Sequence, residues 1–142
     1  QAEQAIKRGE IVFIDNFNTV KVCTDINTLT SFSLDKGKEY SKNRVMRVLN
    51  QYCNDAYRQL SLHYLGKINN DENGRNLIKG WNVGYLNEMQ ANGGIRDFQP
   101  EDVTVNSGDD VDSIVLNVAL MPVDSIEKIY ASVTVSIGTR AK

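Results

Sequence analysis

"SKNRVMRVLNQYCNDAYRQLSLHYLG", residues 41–66, decides how this chain folds. Val45, Leu49, Tyr52, Ala56 and Leu60 recur at steps of three and four, the period that lays one apolar stripe along an α-helix. Ser41 stands where a hydroxyl can accept an orphan N–H of the first turn, and Gly66 stands where a helix can stop. The spacing predicts a helix to about Leu65. Its polar side carries Arg44, Arg47, Gln51, Asp55 and Arg58. A helix with one apolar face must bury it against another element.

The next segments supply those partners. "NNDENGR", residues 69–75, is turn chemistry with acidic residues that suit a helix start. Leu77, Trp81, Tyr85 and Met89 then step by four, with Ile78 and Leu86 flanking them, and Gly93-Gly94 offers a left-handed exit. From Ile95 onward the period changes to two. Val103 and Val105 form a short strand, residues 106–110 a turn, and Ile114, Leu116, Val118 and Leu120 alternate with Ser113, Val115, Asn117 and Ala119.

Upstream, residues 1–8 read as a short helix ended by Gly9, and residues 11–14 and 20–23 as two strands of a hairpin around the turn-rich residues 15–18. Residues 24–38 are polar and loop-like. The expected architecture is α+β, with two main helices packed on a mixed, mostly antiparallel β-sheet in one domain spanning residues 1–142. A chain that opens on Gln1 inside a helical phrase reads as a piece of something longer.

Sixteen Lys and Arg against eighteen Asp and Glu leave a net charge of −2, so there is no overall pull toward nucleic acid and any basic patch is local. No apolar run approaches the roughly 20 residues that cross a bilayer, and no signal or lipidation motif is visible. A soluble chain without membrane insertion is expected. Cys23 and Cys53 lack metal-type spacing and read as free, buried thiols.

Catalytic and metal motifs do not assemble. The single histidine, His63, lies ten residues along the helix from Cys53, about 15 Å, too far for a dyad. "SGDDVD", residues 107–112, lacks the glycine and distal glutamate of a calcium loop. Gly66-Lys67 lacks the rest of a phosphate loop, and Trp81 with Tyr85 falls on the apolar stripe rather than on a base-stacking surface. No enzyme activity, cofactor or metal is expected.

Two features remain. Lys42, Arg44, Arg47 and Arg58 on the first helix, with Arg75 and Lys79 on the second, are candidates for contact with an acidic partner; otherwise they are a solvated face. The chain then closes on Ile129, Ala131, Val133, Val135 and Ile137, alternating with Tyr130, Ser132, Thr134 and Ser136. Edge strands are usually blunted by charge, proline or bulges, and this one is not. It is either central in its own sheet or meant for another chain.

"DINTLTSF" (residues 25–32), "KNRVMRVLN" (42–50), "YLGKINNDENGR" (64–75) and "DSIVLNVALMPVDSIEKIYASVTV" (112–135) together resemble the C-terminal domain of phage-type contractile tail sheath proteins, as in myophages, defective prophages and phage-tail-like bacteriocins. The resemblance implies the inner part of a longer structural subunit. Such subunits assemble with one another around an inner tail tube inside the bacterial cytoplasm, become part of the virion or tail-like particle, and contract to drive the tube through a cell envelope. It also implies tube contact through the cationic residues, and strand exchange between subunits through Ile129, Tyr130, Ala131, Val133, Val135 and Ile137. An α+β binding module gripping RNA or another acidic partner through its basic helix faces is the alternative.

Overall fold

A computed structural model describes residues 1–135. The first helix of the core, α2, spans Asn43–Gln59. It begins differently from the sequence expectation: Ser41 closes a 3₁₀ turn, Lys38–Ser41, by donating its hydroxyl to the Lys38 carbonyl at 2.6 Å. Lys42 is left at the cap position, with no side-chain cap bond. At the other end the helix widens into a π-helical turn, Leu60–Tyr64, where the Leu65 N–H reaches back to Leu60 at 2.9 Å. Gly66 then takes a left-handed φ of 70° and ends it, as expected.

Asp71 caps the second long helix, α3 (Glu72–Ala91), by accepting the Gly74 N–H at 2.7 Å. Gly74 is needed for close approach, because a Cβ there would fall 2.0 Å from the Asn69 carbonyl oxygen. The buried stripe of α3 is Ile78, Asn82, Leu86 and Met89. Ile78, Leu86 and Met89 were expected on that side and Asn82 was not; Leu77 is exposed, and Trp81 and Tyr85 are half-buried, their rings stacked at 5.3 Å. Packing of those rings against the core, rather than display for bases, agrees with expectation.

Two strands, β3 (Val103–Ser107) and β4 (Ile114–Val118), form an antiparallel hairpin in which Val103 faces Val118 and Ser107 faces Ile114. β3 packs on α3. Tyr52 and Ala56 of α2, Leu86 and Met89 of α3, Ile95 and Phe98 of the connection and Val103 make one core. Leu86 and Val103 are completely buried, each stabilising the fold by about 1.5–3 kcal/mol. Ile114, Leu116 and Val118 turn inward while Val115 and Asn117 face out, the alternation their sequence predicts. "SGDDVD" is the solvated turn between the strands, and Asn70 steadies it through the Val111 and Ser113 carbonyls at 2.8 and 2.9 Å.

Before the core come a short helix, α1 (Ala2–Lys7), and a separate hairpin of β1 (Phe13–Asn16) and β2 (Thr19–Val22). Phe17 and Asn18 both have positive φ, 52° and 61°, as a two-residue type I′ turn requires. The α+β class and the two main helices are as expected. The strands form two small antiparallel hairpins rather than one continuous sheet.

Among the described residues the expected final strand does not form: residues 123–135 carry no helix or strand, and residues 128–135 are exposed. Ile137 lies outside the described residues. The thiols also differ from expectation, since Cys53 is exposed and Cys23 half-buried, though both are free. His63 is exposed on the π turn. Among the described residues no helix is long and apolar enough to cross a membrane.

Candidate functional site

Among the described residues, backbone pairing holds the tail to the domain as far as Val123, whose N–H donates to Gly94 at 3.0 Å, beside the Ile95–Pro122 bridge. Beyond it, two carboxylates take over. The Lys42 ammonium donates to Glu127 Oε2 at 2.5 Å and lies 3.3 Å from Asp124. The other oxygen of Glu127 accepts the Asp25 N–H at 2.9 Å. Asn43 joins in by donating to Asp25 Oδ1 and to the Ile26 carbonyl at 3.0 and 2.8 Å, and Arg47 stands 3.4 Å from Asp25.

The cluster is partly shielded, with the side chains of Lys42 and Glu127 20% and 17% exposed. Burial works against the lysine charge, but the hydrogen bonds to Glu127 and Asp124 outweigh it and hold its pKa above the ordinary value. After Glu127 the large apolar residues Ile129, Tyr130, Val133 and Val135 are exposed. A second stretch of unpartnered apolar surface is the β1–β2 hairpin, where Phe13, Phe17 and Val20 are exposed and no strand residue is buried.

The cationic candidates separate. Lys42 is engaged with the tail. Arg75 is half-buried and donates to the Asn70 carbonyl and side chain at 3.4 and 3.2 Å, and Lys79 is half-buried on α3. Arg44, Arg47 and Arg58 are exposed along α2, over about 21 Å of helix. Apart from Arg47, they make no ion pair among the described residues. None of the exposed α2 positions is acidic, because Asp55 is half-buried and accepts the Tyr85 hydroxyl. Tyr57 is exposed beside Arg58.

Sequence reasoning missed Asn82, completely buried, which accepts the Tyr52 hydroxyl at 2.7 Å and donates to the Ile78 carbonyl at 2.8 Å. Its spacing of four from both Ile78 and Leu86 was the available signal. Burial, with the Asp55 bond added at Tyr85, pushes both Tyr52 and Tyr85 up to about 12. Among the described residues no group of three or more His, Cys, Asp or Glu side chains gathers where a metal could bind.

The described residues form a small α+β core with an exposed apolar tail, an exposed apolar hairpin and three exposed arginines along α2. The chain belongs to the phage tail sheath C-terminal domain family, whose model matches residues 35–136. It is 32% identical to the phage-like element PBSX protein XkdK of Bacillus subtilis (strain 168), over 94% of this chain and 30% of that protein. The sheath tail protein of Desulfitobacterium hafniense has a similar fold, with TM-score 0.81 and 44% identity over 92% of this chain and 30% of that one. A sheath tail protein of Listeria innocua gives TM-score 0.73 and 34% identity over 92% and 32%. The chain thus spans about a third of the length of these relatives.

Proposed function

We propose that this domain works as the inner part of a structural, non-enzymatic subunit that assembles with copies of itself into a tail sheath around an inner tube, and that contraction of this sheath drives the tube through a cell envelope. The subunit would act in a virion or phage-tail-like particle assembled in the bacterial cytoplasm. The observation that carries this reading is the tail: residues 128–135 keep a strand's alternation yet have no strand partner among the described residues. Another copy supplies the missing edge, with backbone hydrogen bonds linking neighbours while they slide. The β1–β2 hairpin, with its apolar surface uncovered, is the acceptor the fold offers.

Arg44, Arg47 and Arg58 on α2 are the proposed tube contacts, since the exposed positions of α3 carry no cation. Exposed pairs are weak and screened, so such a grip can release on contraction. The test is electron microscopy of the full-length parent protein, with and without its tube protein. A version ending after Lys128 should stay folded and form no sheath; striated tubes from it would sink strand donation. Arg44 and Arg47 reversed to Glu should lose the tube while Arg75 and Lys79 reversed keep it, and the opposite result would move the tube contact to α3.

A further inference from the structure

Glu127 is the last described residue that bonds to the body of the domain, and it does so through three segments far apart in sequence. The loop at Asp25, the start of α2 at Lys42 and the tail at Asp124 and Glu127 meet in one cluster, the tail contributing both carboxylates. Lys42 is suited to hold them: its backbone is fixed by the Ile26 bridge at the head of α2, and its ammonium has three donors to share between the two carboxylates. Neither partner is fully buried, so the interaction can open at modest cost.

We propose that Lys42, Asp124, Glu127 and the Asp25 N–H form a latch that sets where the tail leaves the domain. Latched, the free tail begins at Lys128. Released, it begins at Asp124, and the four extra residues add about 13 Å of extended reach. The latch meters how far the terminal segment extends to a second copy of this chain, a use that rests on strand donation as proposed above. The latch itself is a property of the single chain.

Backbone 15N relaxation and amide exchange on the 142-residue chain test it. Residues 124–127 are expected near the order parameter of rigid backbone, about 0.85, and residues 129–135 below about 0.6. Glu127→Ala should drop residues 124–127 to the tail's value and speed exchange of the Asp25 amide about tenfold, leaving α2 and α3 unchanged. Lys42→Met should do the same; if it disturbs the start of α2, the tail-side variant decides alone. The latch is refuted if residues 124–127 in the native chain are as mobile as 129–135, if both segments are equally rigid, or if Glu127→Ala moves neither readout. Strand donation is tested on a chain ending after Lys128, with the latch intact, so the two ideas fail separately.

Discussion

The core around Leu86 and the hairpin around Phe17 are built from similar residue types and have opposite fates. Around Leu86, apolar side chains from two helices, a connection and a strand meet and exclude water. Around Phe17, which is 97% exposed, a hairpin of comparable apolar content buries none of its strand residues. The terminal segment repeats the hairpin's situation. The difference teaches that this chain stabilises itself in one region and leaves apolar surface uncovered in two others, the arrangement expected where contacts are completed between molecules.

Truncating the core should expose that contrast most sharply. Leu86→Ala should cost about 2–5 kcal/mol in chemical denaturation, whereas Val133→Ala in the tail should stay within about 0.5 kcal/mol. Equal losses at the two positions would mean the tail packs on its own domain. Next in size, Tyr52→Phe removes the hydroxyl that satisfies buried Asn82 and should cost about 1–3 kcal/mol. A neutral outcome would show that water reaches Asn82.

Alkaline titration separates core from tail exit more gently. Tyr52 and Tyr85 have folded-state pKa values of about 12 against 10.0 in the open chain, so their contribution is complete below about pH 10 and lost as pH rises toward 12. Lys42, raised above 10.5, behaves with the same sign: the latch holds through neutral pH and weakens as pH climbs through the raised value. In a variant with Tyr40, Tyr57, Tyr64 and Tyr130 changed to Phe, tyrosinate absorbance rising before unfolding, at the pH of free tyrosine, would contradict the buried environment of the two remaining rings.

The smallest effects belong to backbone conformation. A Cβ at Gly80 of α3 meets nothing within 4 Å, so Gly80→Ala should raise core stability by about 0.5–1 kcal/mol. Phe17 sits left-handed with its ring in water, and Phe17→Gly should relieve the turn by about 0.5–1 kcal/mol. This gain should appear as slower exchange of the Cys23 amide, which bonds to Val12 at 2.8 Å beside the hairpin, and not in the unfolding of the core. A matching shift in global unfolding would show that hairpin and core are one cooperative unit.

Much of this was legible in the residues. Periods of 3.6 and 2 located α2, α3 and β4, and the turn chemistry of residues 15–18 and 69–75 located the hairpin and the start of α3. Local sequence misled where neighbours in space decide. Ser41 bonds back into its own 3₁₀ turn instead of capping α2, and the polar Asn82 enters the buried stripe of α3, where it and Tyr52 satisfy each other inside the core.

The sequence alone determined the α+β class, the two helices, and an unguarded alternating end, because periodicity and side-chain chemistry are local properties. Tertiary structure alone decided which cations are spent within the chain and which remain available. It placed Lys42 against Glu127, 85 residues away, and left Arg44 and Arg58 open along α2. Charges so distant in sequence have no shared pattern to read, and only the packing of the loop, helix start and tail brings them within hydrogen-bond reach.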